Sequence, residues 1–345
     1  RLRRDIHAHP ELAFEERRTA EQAVRELEAA GIEVHRGLAG TGVVGVLRAG
    51  EGDRSIGLRA DMDALPLTER NAFAHRSRHD GVMHACGHDG HTAMLLGAAR
   101  HLARVAGFDG TVCFIFQPAE EGKGGARAMI EEGLFDRFPM DSVFGMHNWP
   151  GQEPGRFGVL SGPVMASADE FDVVVTGRGA HAAMPHQGTD AIVAGATLVQ
   201  ALQSIVTRNI DPMDSAVLSV TQFHAGDAYN VLPEQVLLRG TARAFAPGVR
   251  DALEASLRRI CDGVAAAFGL RIDVEFRRGY PPTINHPLQT EVCRAAATEV
   301  VGAHNVLSDL PPTTGAEDFA FMLQEKPGCY VFIGNGAGEG GCGLH

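Results

Sequence analysis

Several features that would assign the chain to a particular class of protein are missing from its 345 residues. No two of its six cysteines form a C-x-x-C pair, which argues against a structural zinc knuckle or a disulfide framework and favours reduced thiols. The longest apolar stretch, residues 191–202, is interrupted by Gln200 and is too short to cross a bilayer. Residues 1–8 carry charges and no apolar core of a secretory signal. We therefore expect a cytoplasmic protein without a membrane span.

Positive charge is also scarce. The chain has 31 Lys and Arg against 43 Asp and Glu, a formal net charge of -12, so most of its surface would repel a nucleic-acid backbone or an anionic membrane. We expect neither as a partner, which leaves a small molecule. With 44% hydrophobic and 21% charged residues and no low-complexity tract, the chain has the composition of a folded globular protein. Its length exceeds what one hydrophobic core usually serves, so two domains are expected.

Strand-like and helix-like patterns alternate along the first part of the chain, which predicts an α/β fold with a largely parallel, helix-covered sheet. The pattern changes near Ser167 to that of an α+β module, and Tyr280-Pro281-Pro282 is suited to a hinge out of it. The sequence thus predicts a discontinuous domain, residues 1–166 and 282–345, with residues 167–281 inserted as a second domain.

Polar residues follow several of the predicted strands. They are Asp61 and Asp63 after the strand ending at Leu58, Glu120 and Glu121 after the strand ending at Phe116, and His147 after the strand ending at Met146. In an open parallel sheet these positions converge in the crevice beyond the carboxyl ends of the strands. The loop at residues 84–91, which precedes a predicted helix, adds imidazoles and the thiol of Cys86. Such a set of side chains is typical of a metal site.

The adjacent carboxylates of Glu120 and Glu121 suggest a division of labour in metal hydrolysis. One would bind the metal, and the other would accept a proton from metal-bound water. No G-x-S-x-G elbow occurs, so the sequence does not support serine chemistry. A thiolate nucleophile at Cys86 paired with His88 remains an alternative.

A second motif, Gly40-Thr41-Gly42-Val43-Val44-Gly45, matches the G-x-G-x-x-G pattern of dinucleotide-binding folds. The residues after Gly45 run into a turn at residues 50–52, which leaves no room for the helix that such a site requires. We therefore reject dinucleotide binding.

Four segments together resemble those of a known family. They are Asp61-Met62-Asp63-Ala64-Leu65-Pro66, Met83-His84-Ala85-Cys86-Gly87-His88-Asp89-Gly90-His91, Phe116-Gln117-Pro118-Ala119-Glu120-Glu121 and Met146-His147-Asn148. The chain resembles the M20 metallopeptidase superfamily nearly end to end, and more closely its amidohydrolase subfamily of hippurate hydrolases, aminoacylase-like enzymes and plant auxin-conjugate hydrolases. The resemblance implies hydrolysis of the amide bond of N-acyl amino acids.

The resemblance also implies a role for individual residues. The ligands of a site for two divalent ions would be Cys86, His88, Glu121, His147 and His345. Glu120 would be the general base, and Asp63 would hydrogen-bond a ligand imidazole and fix its tautomer. Asp61 stands where related peptidases carry a metal-binding His, and we do not assign it as a ligand. A Cys ligand favours Zn, Ni or Co, whereas carboxylates suit Mn, so the metal stays open.

In family members the catalytic domain is zinc-peptidase-like, and the inserted domain is a lid that mediates dimerisation. A homodimer through residues 167–281 is therefore expected, and a tetramer is a further option. His181 in the lid would reach a neighbouring active site and stabilise the oxyanion, while Asn230 and Arg243 would hold the substrate carboxylate. Two alternatives stay open: a dipeptidase or carboxypeptidase of the same superfamily, and a non-catalytic homologue that binds metal or ligand.

Overall fold

The structure is a computed structural model that describes residues 1–336 of the chain. The α-helices in chain order are α1 (Leu2–Ala8), α2 (Arg17–Ala29), α3 (His88–Val105), α4 (Glu120–Lys123), α5 (Gly125–Glu131), α6 (Leu134–Arg137), α7 (Ala191–Ser204), which continues as a π-helix (Ile205–Asn209), α8 (Pro247–Phe268), α9 (Pro287–Val301) and α10 (Phe319–Glu325). The strands are β1 (Glu33–Leu38), β2 (Gly42–Ala49), β3 (Ser55–Asp61), β4 (Gly110–Gln117), β5 (Ser142–Trp149), β6 (Phe157–Gly158), β7 (Gly162–Met165), β8 (Asp169–Thr176), β9 (Ala180–His181), β10 (Ala216–Ala225), β11 (Val231–Leu232), β12 (Gln235–Ala244), β13 (Arg271–Arg278), β14 (Thr283–Asn285), β15 (Val306–Leu307) and β16 (Gly328–Gly334).

The chain divides into two compact units. The first comprises Arg1–Val164, Ile284–Pro311 and the described residues from Asp318 onward, and the second comprises Met165–Thr283 and Pro312–Glu317. Each unit has its own sheet. The lid and dimerisation roles expected for residues 167–281 remain predictions.

The sheet of the first unit has eight strands in the order β1-β2-β4-β3-β5-β16-β6-β15. Its centre is parallel, because β3 pairs in parallel with β4 and β5, and β5 pairs in parallel with β16. The strands β1 and β2 extend it in antiparallel fashion. The α/β class is thus confirmed, with a mixed sheet whose parallel strands lie at the centre. The parallel strands bring their carboxyl ends to one edge.

Strand β4 shows why the centre of this sheet forms where it does. Its residues Val112 to Phe116 are apolar and buried, and side chains on both faces of a central strand must be apolar to pack under helices. Phe114 and Phe116 pack with Leu27 of α2 and Leu96 of α3 in one cluster. The sheet is therefore anchored against α2 and α3.

The second unit is built on the antiparallel sheet β10-β12-β8-β13. Its core joins the sheet residues Phe171 and Leu238 to Leu198 of α7 and Leu253 of α8. A short ladder of β9 and β11 lies outside this sheet.

One helical stretch among the described residues, Ala191–Asn209, is long and apolar enough to cross a membrane, with a mean hydropathy of 1.2. Its residues Ala194, Leu198, Leu202 and Ile205 are fully buried in the core of the second unit. A core helix can be equally long and apolar, and we interpret this stretch as a core helix of the second unit.

Two details differ from the sequence interpretation. His147 was expected to follow its strand but lies inside β5, and Asp61 is the last residue of β3. The Gly40 to Gly45 motif leads into β2, and β3 follows with no helix between the two strands. A dinucleotide-binding site would need a helix at that point.

Candidate metal centre

Four segments of the first unit meet at the carboxyl edge of its parallel strands. Asp61 ends β3 opposite Gln117, which ends β4, and His147 lies near the end of β5. The loop before α3 adds Cys86 and His88. Ligand atoms of Cys86, His88 and His147 lie within 4.8 Å of one another, and all three residues are buried. These distances would allow one ion to contact all three side chains.

Gly87 lets the loop come this close to β5. Its φ is +94°, a left-handed conformation that L side chains rarely adopt, and a Cβ there would stand 2.1 Å from Oδ1 of Asn148. Any other residue between Cys86 and His88 would strain the loop and displace the side chain of Asn148.

The imidazole of His88 is held by one nitrogen. Its Nδ1 lies 3.2 Å from Oδ1 of Asp63. The other nitrogen, Nε2, is buried and has no hydrogen-bond partner among the described residues. A buried polar atom without a partner is costly, and a cation bound at Nε2 would remove that cost.

His147 has the same arrangement with a different anchor. Its Nδ1 lies 2.6 Å from the carbonyl oxygen of Asn148, a distance at which Nδ1–H donates to that oxygen. Its Nε2 then carries the lone pair and lies 3.4 Å from Sγ of Cys86. Burial, followed by the charges of His91 and other neighbours, lowers the pKa of His147 well below its usual value. A neutral imidazole with a free Nε2 is suited to metal binding.

The turn after β4 presents the two adjacent carboxylates. Ala119 has a φ of +57°, which is unfavourable for a residue with a Cβ, and its N–H donates to Oε1 of the fully buried Glu16 at 2.8 Å. The N–H of Glu121 donates to Oδ2 of Asp63 at 2.9 Å. The turn brings Glu120 and Glu121 close to His88 of α3, and ligand atoms of these three residues lie within 4.8 Å of one another. Asp63 thus contacts both His88 and the backbone of Glu121.

The side chains around these candidate ligands carry more negative charge than the neighbouring guanidinium of Arg59 can balance. The carboxylates of the first unit in this region are Asp61, Asp63, Glu120, Glu121 and Asp318. The buried guanidinium of Arg59 contacts Asp61 at 2.6 Å and Asp318 at 2.9 Å. Burial alone would lower the pKa of His88, but the charge of Asp61, helped by the hydrogen bond to Asp63, raises that pKa well above the usual value. A site that retains a proton in this way is suited to bound cations.

The protonation of Cys86 bears on the alternative of a thiolate nucleophile. Burial raises the pKa of its thiol to about 11, against a smaller opposing effect of His88. The sulfur is then protonated at neutral pH unless a cation is bound to it. A protonated thiol is a poor nucleophile, so the raised pKa weakens the alternative of a thiolate nucleophile at Cys86.

Several residues of this region were not predicted from the sequence. His91 lies 2.6 Å from Asp61, and Arg59 joins Asp61 to Asp318, whose N–H lies 3.3 Å from Oε1 of Glu120. His91 could have been suspected from its place one turn after His88 on α3. Arg59 and Asp318 are 259 positions apart, and their separate sequence contexts give no sign of the ion pair.

The remaining predicted residues lie elsewhere. His181 and Asn230 are neighbours in the second unit, because His181 pairs with Val231 and the N–H of Ala182 donates to the Asn230 carbonyl. Arg243 lies in β12 of that unit, where burial lowers its pKa. His345, the fifth predicted ligand, lies outside the described residues.

An α/β sheet with buried thiol, imidazole and carboxylate donors at the carboxyl ends of its parallel strands has the design of a metal-dependent hydrolase. Comparison with known proteins agrees. Residues 57–345 match the family model described as peptidase family M20/M25/M40. The chain therefore belongs to this family, and it is a metal-dependent hydrolase acting on amide bonds.

Relatives with a described activity are similar over most of the chain. A hippurate hydrolase of Campylobacter jejuni is 43% identical, covering 97% of this chain and 87% of its own length. An N-acyl-L-amino acid amidohydrolase of Geobacillus stearothermophilus is 45% identical, covering 82% of this chain and 77% of its own length. Among solved structures, the YXEP protein of Bacillus subtilis, described as a dinuclear metal binding peptidase from M20 family, has a TM-score of 0.85 and 36% identity, covering 96% of this chain and 87% of that one.

Proposed function

We propose that the chain hydrolyses the amide bond of small N-acyl amino acids, such as hippurate-like or N-acetyl compounds. The observation that carries this proposal is the pair Glu120 and Glu121, both with a carboxylate oxygen within 4.8 Å of a ring nitrogen of His88. One carboxylate can bind a cation there while the other stays available for proton transfer. The names of the relatives, a hippurate hydrolase and an N-acyl-L-amino acid amidohydrolase, support the substrate class.

Cys86, His88, Glu121 and His147 would hold two divalent ions, with His345 as a fifth ligand. When bound, such ions act as Lewis acids that polarise the scissile carbonyl and lower the pKa of a coordinated water from 15.7 to about 7. Glu120 accepts a proton from the water while the water oxygen attacks the carbonyl carbon. Glu120 then delivers that proton to the nitrogen as the C–N bond breaks, which releases the carboxylic acid and the free amino acid. Asp63 keeps His88 oriented through Nδ1.

The second unit would supply the rest of the site. His181 accepts the N–H of Ala183 at its Nδ1, at 3.1 Å, so its Nε2 stays available to donate to a developing oxyanion. In this proposal His181 acts in the active site of a neighbouring subunit, and Asn230 and Arg243 hold the substrate carboxylate. A homodimer through this unit follows from that role. A cytoplasmic location fits the five cysteines of the described residues, which are all free.

The test is a substrate panel with purified protein. We expect release of the amino acid from hippurate and N-acetyl amino acids, loss of that release after chelation, and its return when Zn²⁺, Mn²⁺, Co²⁺ or Ni²⁺ is added. Cleavage of dipeptides in preference to acyl amino acids would assign a dipeptidase instead. Stoichiometric metal binding with no hydrolysis across the panel would make the chain a non-catalytic homologue.

A further inference from the structure

A buried chain of contacts runs behind the ligand His147 and involves residues that the proposed function does not use. Oδ1 of Asp61 lies 2.6 Å from Nδ1 of His91, and Nε2 of His91 lies 3.0 Å from the backbone nitrogen of Asn148. Asp61 and His91 are 0% and 2% exposed. The rings of His91 and His147 contact each other edge to face, with centroids 4.5 Å apart.

The donor at Asn148 fixes the tautomer of His91. A backbone N–H can only donate, so Nε2 of His91 must carry a lone pair. The ring proton is then on Nδ1, where it donates to the carboxylate of Asp61. Both nitrogens of His91 are engaged in this way, which leaves neither available to bind a cation.

Asn148 connects this pair to the ligand. Its N–H donates to His91, and its carbonyl oxygen accepts Nδ1–H of His147. The backbone of Asn148 is thereby fixed by His91 through its N–H, and it orients His147 through its carbonyl oxygen. If it shifts, the ring of His147 loses the anchor that keeps Nε2 facing Cys86.

We propose that Asp61 and His91 are positioning residues of the metal centre, which hold the backbone at Asn148 so that His147 presents Nε2 to the ion. The inference rests on the metal site of the proposed function and concerns residues to which that function gives no role. Arg59 supports the arrangement from behind, because its guanidinium lies 2.6 Å from Oδ2 of Asp61 and fixes the carboxylate that faces His91. Outer hydrogen-bond partners of this kind orient ligand imidazoles and strengthen metal binding.

The test compares three variants of α3 by metal affinity. His91→Leu removes both ring nitrogens at similar volume, His91→Gln retains a donor and an acceptor, and His101→Leu changes an exposed histidine of the same helix. Affinities of the metal-free proteins for Zn²⁺ and Co²⁺ are measured by competition with a chromophoric chelator. We expect weakening of about 10- to 100-fold for His91→Leu, a smaller loss for His91→Gln and none for His101→Leu.

A wild-type dissociation constant for His91→Leu, whether or not the unfolding midpoint of its metal-free form is lowered, would overturn the inference and leave the proposed function standing. Failure of the wild-type protein to bind either ion would overturn both. Long-range ¹H–¹⁵N spectra of the imidazoles in the wild-type zinc protein cover the case in which His91→Leu does not fold. The inference requires the Nδ1–H tautomer of His91, and a proton on Nε2 would contradict it.

Discussion

At the residue scale, His7 of α1 is held between two carboxylates, that of Glu69 in the segment between β3 and α3 and that of Asp89 in the first turn of α3. Its Nδ1 lies 2.9 Å from Asp89 and its Nε2 lies 3.1 Å from Glu69, while Arg3 also contacts Asp89 at 3.0 Å. Burial alone would lower the pKa of His7, but the hydrogen bonds and charges of Asp89 and Glu69 outweigh it and raise that pKa. The charged imidazole therefore stabilises the folded state.

This raised pKa predicts a pH-dependent stability. The unfolded chain has the ordinary histidine pKa of about 6.5, so the contribution of His7 is fully present below that pH and is lost as the pH rises through the higher pKa of the folded state. We expect the stability difference between wild type and His7→Gln to be largest near pH 6 and to shrink towards pH 9. Urea unfolding followed by the fluorescence of Trp149, the single tryptophan, measures it. The exposed His101→Gln serves as control, and a pH-independent difference would contradict the role of the charge.

The sequence predicted the site unequally well from one residue to the next. Cys86, His88 and the two glutamates could be named because they stand in short motifs whose composition already suggests metal chemistry. Arg59 could not, because a lone arginine in a strand is usually exposed, and its burial depends on Asp318 from a distant part of the chain. Charged residues that are buried in pairs become recognisable only once the fold brings the partners together.

At the element scale, the loop from Cys86 into α3 offers a direct test of how close packing shapes the site. Gly87→Ala would place a Cβ 2.1 Å from Oδ1 of Asn148 at a φ of +94°, so the Asn148 side chain must move and the backbone at residue 87 is strained. We expect weaker metal binding and lower activity, measured by chelator competition and hydrolysis of hippurate.

Gly90→Ala, three residues further along in the first turn of α3, is the matched control. A Cβ at Gly90 meets nothing within 4 Å, and alanine has a higher helix propensity than glycine. This variant should bind metal like the wild type and be slightly more stable. Equal metal affinity of both variants would show that the close approach at Gly87 does not matter.

Secondary-structure elements with a regular pattern of buried apolar side chains could be predicted from the sequence, and elements without such a pattern could not. The apolar run of β4 and the helical pattern of α3 could be predicted, because their side-chain periodicity reports burial directly. Strand β1 was missed because its burial pattern shows five partly or fully exposed residues out of six, as suits an edge strand. Helix α10 was missed as well. It is seven residues long, and its core contacts come from tertiary packing rather than from a long periodic pattern.

At the scale of the whole molecule, the two units divide the proposed work. The first unit brings together the candidate metal ligands and the pair Glu120 and Glu121. The second unit carries His181, Asn230 and Arg243, whose roles in substrate binding are proposals. The net charge of -12 would repel an anionic substrate at long range, so local groups must attract it. Bound cations and Arg243 are suited to that task.

The proposed reaction depends most on the division of labour between Glu120 and Glu121, and a pair of substitutions tests it. Glu120→Gln and Glu121→Gln make the same chemical change at adjacent positions, and metal content and hydrolysis of hippurate are measured for both proteins. We predict that Glu120→Gln retains the wild-type metal content and loses roughly 10²- to 10⁴-fold in kcat, the contribution of a general base, while Glu121→Gln binds less metal. Near-normal turnover by Glu120→Gln, or a full metal complement in Glu121→Gln, would contradict the account.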